Sequence, residues 1–110
     1  MTELHKQRCV VCTPGTPTLP AEEITQLRGE LHDGWAVVDG TKLHRDLRFP
    51  DFVSAMARAQ AIGDIAEGEG HHPDMCMGWG RLNIDLTTHA ARGLTRNDFI
   101  LAAKIDALDS

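Results

Sequence analysis

The sequence predicts an α+β domain in which a four-stranded antiparallel sheet carries three helices on one face, in the order α-β-β-α-β-β-α. Two observations predict this fold. Apolar residues recur every three or four positions in three segments, as in helices that bury one face. Between these segments lie two pairs of short strand-like runs joined by glycine-containing turns. Short turns between strands favour antiparallel hairpins and therefore an α+β architecture.

The first helix is predicted over residues 20–31, because Pro20 suits the first turn of a helix and one apolar stripe follows it. That stripe consists of Ile24, Leu27 and Leu31. Strands are then predicted over 35–38 and 42–49. The Asp-Gly pair at 39–40 between them is a strong hairpin signal.

The second helix is predicted over residues 50–67, and Gly68 and Gly70 end it. Its first turns contain an apolar stripe that we expect to face inward: Phe49, Phe52, Val53 and Met56. Its remaining apolar positions are mostly alanines, and such small residues permit close packing against a sheet or another helix.

The second hairpin begins near Met75 and turns near residues 78–80. Residues 81–88 are the clearest strand in the chain, since Leu82, Ile84 and Leu86 alternate with polar residues. A last helix opens at Thr95, which forms a capping-box pattern with Asp98. The side chains predicted to face inward from this helix are Phe99, Ala102, Ala103 and Leu108.

The first nineteen residues are predicted to form an irregular tail before a single domain over 20–110, because prolines, threonines and glycines dominate their second half. The tail contains a CxxC spacing at Cys9 and Cys12. A second CxxC, which would complete a four-ligand zinc site, is absent from the sequence. A thiol pair without a metal is the favoured interpretation, and a zinc or redox role is the alternative.

Composition restricts the functional classes. The formal net charge is −5 and basic residues do not cluster, so we expect no direct contact with nucleic acid. Apolar runs are too short for a membrane span or a secretory signal, which indicates no membrane partner and a cytoplasmic location. In that compartment the three cysteines are expected to be reduced thiols.

Three histidines are predicted to meet at one edge of the sheet. His71 and His72 follow the second helix, and His89 ends the fourth strand, so a hairpin between the last two strands brings them together. Glu67 lies on the last turn of the second helix, and Asp98 borders the same region. Imidazoles suit proton transfer near neutral pH because their reference pKa is about 6.5. A three-histidine zinc site is the less favoured alternative, since adjacent histidines are awkward ligands for one ion.

The sequence resembles the pterin-4a-carbinolamine dehydratase family. The resemblance extends over about residues 19–108 and is carried by four motifs. They are Glu67-xxx-His71-His72-Pro73, Trp79-Gly80-Arg81, Thr87-Thr88-His89 and Gly93-Leu94-Thr95-xx-Asp98.

The resemblance implies dehydration of 4a-hydroxytetrahydrobiopterin to quinonoid dihydropterin, in support of tetrahydropterin recycling, with no metal or organic cofactor. It also implies assembly as a homodimer or homotetramer. By matching positions, His71, His72 and His89 are the expected catalytic residues. The remaining residues expected to bind or support the pterin substrate are Glu67, Pro73, Thr88 and Asp98.

Two positions depart from the pattern of some family members. Gly70 stands where an acidic residue can precede the histidine pair, and Met75 where an aromatic residue can follow Pro73. The glycine removes a possible polar contact with the pterin. Some relatives act as coactivators or assembly factors, so a binding protein that does not need catalysis is the alternative function.

Overall fold

Four strands form one antiparallel sheet in the computed structural model, which describes residues 3–109. In chain order the strands are β1 (Ala36–Val38), β2 (Lys42–Arg48), β3 (Asp74–Gly78) and β4 (Arg81–Leu86). Their spatial order is β1-β2-β4-β3, and each neighbouring pair is antiparallel. The β3–β4 hairpin pairs Gly78 with Arg81, so its turn lies where the sequence predicted it.

Three α-helices accompany the sheet: α1 (Ala21–Arg28), α2 (Phe52–Glu69) and α3 (Arg96–Asp106). Single 3₁₀ turns occur at Leu4–Lys6, His89–Ala91 and Ala107–Asp109. The predicted α+β class and the order α-β-β-α-β-β-α are therefore confirmed. Among the residues described, no helix is both long enough and apolar enough to cross a lipid bilayer.

The core lies between one face of the sheet and the helices. Along β4, Leu82, Ile84 and Leu86 are fully buried, while the intervening side chains lie on the other, more polar face. The buried side chains of α3 that meet this core include Phe99, Leu101 and Ile105. The strict alternation along β4 fixes its register, because a slip of one residue would expose its leucines.

Asp106, at the end of α3, connects this helix to the sheet. Its Oδ1 accepts hydrogen bonds from Arg45 Nη1 at 2.5 Å and from Trp35 Nε1 at 2.9 Å. Its Oδ2 accepts the backbone N–H of His32 at 2.9 Å. The buried Arg45 and Trp35 are thus provided with polar partners, which buried polar groups require. The contact holds α3 against β2.

The predicted inward stripe at the start of α2 is wrong. Phe52, Val53 and Met56 are 41%, 75% and 50% exposed, and Ala55, Ile62 and Ala66 form the buried face instead. The apolar pattern of α2 was ambiguous, because alanines can lie on either the buried or the exposed face of a helix. The alanine-containing face is buried because small side chains let the helix backbone approach the sheet closely. Leu108, also predicted to face inward, is 37% exposed.

Element ends shift by a few residues from the prediction. Pro20 caps α1 rather than opening it, and α1 ends at Arg28. Helix α2 begins at Phe52 because Asp51 caps it, accepting the backbone N–H of Ser54 at 2.8 Å. The capping box of α3 is present as predicted, with Thr95 as N-cap and Asp98 as its reciprocal partner.

Residues 3–19 lie along the domain rather than away from it. Leu4 is buried in the core next to α3, and Leu19 donates its backbone N–H to Leu94 at 2.9 Å. Between these contacts the segment has no helix or strand beyond its first 3₁₀ turn.

Candidate active site

A cavity of about 270 Å³ lies at the edge of the sheet where α2 and β4 end. Three histidines line it, two of them adjacent in sequence. Its lining residues come from the N-terminal segment, the α2–β3 connection, the end of β4 and the start of α3. They are Val10, Val11, Cys12, Gly70, His71, His72, Thr87, Thr88, His89, Ala90 and Asn97.

Asp98 holds His71 from behind the cavity wall. His71 Nε2 lies 2.6 Å from Asp98 Oδ1, and the aspartate is fully buried. Asp98 Oδ2 accepts the hydroxyl of Thr88 at 2.8 Å and the backbone N–H of Thr95 at 2.9 Å. Thr95 Oγ1 also lies 2.8 Å from Thr88 Oγ1. Both carboxylate oxygens are therefore satisfied inside the protein, as a buried charged group requires.

The Asp98 contact also determines which nitrogen of His71 carries a proton. A carboxylate only accepts hydrogen bonds, so Nε2 of His71 must be the donor. In the neutral imidazole Nδ1 then has a free lone pair. Nδ1 makes no hydrogen bond within residues 3–109. His71 is thereby prepared to accept a proton, or to donate it back, at a defined ring atom.

His72 has a carboxylate partner of its own, but in solvent. Its Nε2 lies 2.5 Å from Glu67 Oε2, and the side chains are 59% and 79% exposed. Glu67 is an acceptor for His72 as Asp98 is for His71, but a solvent-exposed pair constrains the ring less than a buried one. The two adjacent histidines therefore differ in environment, since one has a buried partner and the other a hydrated partner.

His89, which follows β4, is the third histidine of the cavity lining. It opens the 3₁₀ turn His89–Ala91, and Thr88 and Gly93 close this loop with backbone hydrogen bonds of 3.0 and 3.3 Å. His89 is exposed, and its ring has no hydrogen-bond partner among the residues that the structure describes. Its imidazole is available to a ligand in the cavity.

Two local backbone features place the histidine pair. Gly70 caps α2 in the left-handed conformation, with φ of 68°, which glycine adopts without strain. Pro73 disfavours the helical conformation for His72, so the chain runs extended from the helix end into β3. Adjacent side chains of an extended segment diverge, which lets His71 point toward Asp98 and His72 toward Glu67.

Comparison with known proteins identifies the family of this chain. A family model described as pterin 4 alpha carbinolamine dehydratase matches residues 17–108. The chain belongs to this family. A relative in Alkaliphilus metalliredigens, provisionally named pterin-4-alpha-carbinolamine dehydratase, is 41% identical across 100% of this chain and 99% of its own. A second, in Rubrobacter xylanophilus and named in the same provisional way, is 45% identical across 98% of this chain and 100% of its own.

Solved structures share the fold of this family member. A transcriptional coactivator/pterin dehydratase from Brucella melitensis is 31% identical, with a TM-score of 0.78 over 84% of this chain and 99% of its own. A pterin dehydratase-like protein identified as a RuBisCO assembly factor has a TM-score of 0.59 over 70% of this chain and 90% of its own. At 24% identity, the second comparison concerns the fold alone.

The residues predicted for the dehydratase-type site occupy three kinds of position. His71, His72, His89 and Thr88 line the cavity. Glu67 and Asp98 lie behind it, each bonded to a histidine. Pro73 is outside the described lining and acts on the backbone of the pair.

Thr88 lines the cavity, but its hydrogen-bonding groups are already engaged within the protein. Its hydroxyl is engaged with Asp98 and Thr95. Its backbone N–H and C=O are bonded to Gly93 and Ala91. Its clearest contribution is therefore to fix Asp98, while the role of Thr88 in substrate binding stays a prediction.

Sequence reasoning missed the wall formed by the N-terminal segment and Asn97. Val10, Val11 and Cys12 precede the family match, and no periodic pattern connects them with the site. The CxxC spacing predicts a thiol pair, but nothing in it indicates a place beside the histidines. Asn97, next to Asp98 in the chain, was the one available signal, because a polar residue in the first turn of a buried helix needs partners.

The remaining polar groups do not suggest a metal site. Among residues 3–109, no three histidine, cysteine or acidic side chains come together in a way that could hold a metal ion.

A larger open cavity of about 500 Å³ lies between the N-terminal turn and α3, and its titratable residues are Glu3, His5, Glu30 and Asp106. Asp106 is already engaged in the core contacts described above. The histidine cavity is therefore the better candidate for chemistry.

Proposed function

We propose that this protein dehydrates 4a-hydroxytetrahydrobiopterin to quinonoid dihydropterin by histidine general acid–base catalysis, in support of tetrahydropterin recycling. The observation that carries the proposal is the single cavity lined by His71, His72 and His89, two of which are bonded to carboxylates. Membership in the pterin 4 alpha carbinolamine dehydratase family supports the substrate class. We further propose a cytoplasmic enzyme that uses no metal or organic cofactor and does not contact nucleic acid.

The elimination matches the groups present. The bond between C4a and its hydroxyl oxygen breaks, the proton on N5 leaves, and a double bond forms between C4a and N5. One imidazole protonates the departing hydroxyl, which leaves as water, and another accepts the N5 proton. Histidines that line one cavity from different elements can reach two atoms of one flat ring system. Asp98 and Glu67 accept from Nε2 of His71 and His72, so each of these rings would exchange its proton with the substrate at Nδ1.

The first prediction tests this assignment by stopped-flow measurement of 4a-hydroxytetrahydropterin decay. The wild-type protein should accelerate the decay, and His72→Ala and His89→Ala should each slow the catalysed rate by about 10²-fold, as expected when a general acid or base is lost. His44→Ala is the matched control, since His44 lies on the polar outer face of the sheet with Asp46 and Asp85. A folded wild-type protein without acceleration contradicts the function, whereas unchanged rates in both site variants contradict the residue assignment.

A binding role on the same fold is the second candidate, and the exposed apolar face of α2 favours it. Phe52, Val53 and Met56 present side chains that a partner protein could cover. The name of the Brucella melitensis structure combines coactivator and dehydratase, so the two roles can be associated with one protein. Capture of a stoichiometric protein partner from native lysate by a protein without turnover would favour the binding role.

A further inference from the structure

The segment around Cys9 and Cys12 forms a wall of the histidine cavity. Val10, Val11 and Cys12 line the cavity together with His71, His72 and His89. The valines are 70% and 92% exposed, although they are apolar, and Cys12 is partly buried. Apolar side chains at the mouth of a cavity gain favourable free energy when a ligand covers them.

Asn97 anchors this wall through its side-chain amide. Asn97 Oδ1 accepts the backbone N–H of Val10 at 2.9 Å, and its Nδ2 donates to the carbonyl of Val10 at 2.6 Å. The same Nδ2 lies 3.3 Å from Cys12 Sγ. Cys9 Sγ donates to the backbone carbonyl of Asn97 at 3.6 Å. Asn97 is only 3% exposed, so a buried group on α3 fixes both ends of the segment.

Glu69 provides a second anchor at the end of α2. Its Oε1 accepts the backbone N–H of Cys9 at 2.8 Å, and its Oε2 lies 3.3 Å from Arg8 Nε and 3.8 Å from Lys104 Nζ. Arg8 also donates to the carbonyl of Gly68 at 3.2 Å. The segment is therefore tied to α2, which precedes the histidine pair, and to α3, which carries Asp98. Such attachment preorganises a loop and lowers the entropic cost of binding.

We propose that residues 9–12 are a substrate-binding wall, in which Val11 and Cys12 contact the pterin and Asn97 is the positioning residue. This inference rests on the proposed function. The flat ring would lie between the histidines and this segment, covering Val11 and bringing Cys12 Sγ within reach of the ligand. The paired cysteines then have a local purpose, since Cys9 joins the wall to Asn97 and Glu69 while Cys12 faces the cavity.

Protection of Cys12 from alkylation tests the contact directly. The protein is treated with iodoacetamide near pH 8, with and without 7,8-dihydrobiopterin, and each cysteine is quantified by mass spectrometry. Burial, reinforced by the charge of Glu69, raises the pKa of Cys9 to about 12, so this thiol reacts slowly. The exposed Cys76 on β3 is the internal control because it lies on the outer face of the sheet, paired with Asn83.

The expected result is selective protection. With free dihydropterin at about ten times its Kd, only about one site in eleven is empty, so Cys12 alkylation should slow about tenfold while that of Cys76 is unchanged. Equilibrium dialysis measures the Kd independently. Binding without protection of Cys12 overturns the wall while leaving the proposed function intact. Absence of both binding and turnover overturns the wall and the function together.

Two variants separate positioning from folding. Asn97→Ala frees the segment and should raise KM about tenfold with kcat within about twofold, because it loses a preorganised contact and no reacting group. Cys12 in that variant should alkylate faster and show little protection. Asn83→Ala is the matched control, since this asparagine bonds to Asp46 on the outer face. If Asn97→Ala does not fold, Val11→Ser is the alternative variant, because it changes only an exposed side chain. It should raise KM, and Val38→Ser on β1 is its control. An unchanged KM in Val11→Ser rejects the wall.

Discussion

At the scale of single residues, Asp98 determines which ring nitrogen of His71 carries a proton. The carboxylate accepts from His71, Thr88 and Thr95, and each of the three contacts is a charge-assisted hydrogen bond. It is at once part of the α3 capping box and the partner of an imidazole. One buried side chain thus couples the start of a helix to the tautomer of a proposed catalytic residue.

Replacing Asp98 by asparagine should separate these two roles. The amide keeps one oxygen but turns an NH₂ group toward either His71 or Thr95, so at least one donor loses its acceptor. If His71 changes tautomer in response, kcat should fall by about 10²-fold while KM changes little, as expected for misplaced acid–base chemistry. The measurement is steady-state dehydration by the folded variant, with Asp46→Asn on the outer face as control.

Thr88→Ser provides the complementary check on the same network. Serine retains the hydroxyl that donates to Asp98, so its kcat should stay near the wild-type value. A wild-type kcat in folded Asp98→Asn would show that turnover does not need the charge of Asp98.

At the scale of elements, sequence pattern predicted the sheet and its hairpins well. Strand β4 follows its alternation residue by residue, and the glycines at 78 and 80 flank the turn that brings His89 back to the histidine pair. Periodicity succeeded there because one face is apolar and the other polar. It failed at α2, where Phe52 and Met56 are exposed, since alanines on the opposite face gave the closer packing.

The N-terminal segment was beyond sequence reasoning for a different reason. Its position depends on a few long-range hydrogen bonds from Asn97 and Glu69, rather than on a repeating pattern. Single contacts of this kind produce no repeating pattern in the amino-acid sequence. The predicted tail contained the right residues, but its place beside the cavity became visible only in three dimensions.

The Glu69 anchor should make the attachment of this segment sensitive to acid. Burial alone would raise the pKa of Glu69, but the N–H of Cys9 and the charges of Lys104 and Arg8 outweigh burial and lower it below 4.5. A lowered pKa in the folded state stabilises the protein above the unfolded value of 4.5, and this contribution is lost as the pH falls through the folded value.

Urea unfolding of wild type and Glu69→Gln measures this effect. The difference in free energy of unfolding should be constant from about pH 7 to pH 5.5 and shrink below the reference value of 4.5. The exposed Glu30→Gln serves as the control and should show no such trend. A difference that stays constant down to pH 3 would mean that the ionised carboxylate does not hold the segment.

At the scale of the whole molecule, three of the eight large apolar side chains that are exposed among the described residues lie on α2. Phe52, Val53 and Met56 lie on this helix, and the exposed Leu108 and partly buried Phe49 share a shallow cavity beside it. Exposed apolar side chains at neighbouring positions of one helix are typical of a protein interface. A second copy of the chain is the expected cover, consistent with the predicted homodimer or homotetramer.

Light scattering coupled to gel filtration tests this assembly. The wild-type protein should elute with two or four times the 12.1 kDa mass of one chain, and Phe52→Ser combined with Met56→Ser should shift it toward 12.1 kDa. The matched control is Trp79→Ser, which removes a 69% exposed aromatic residue from the β3–β4 turn. Because Phe52 and Met56 are not among the residues that line the histidine cavity, the dissociated variant should retain dehydration activity. A wild-type protein that is monomeric at tens of micromolar concentration would leave the α2 face to another partner, and dissociation by Trp79→Ser alone would place the interface at the turn.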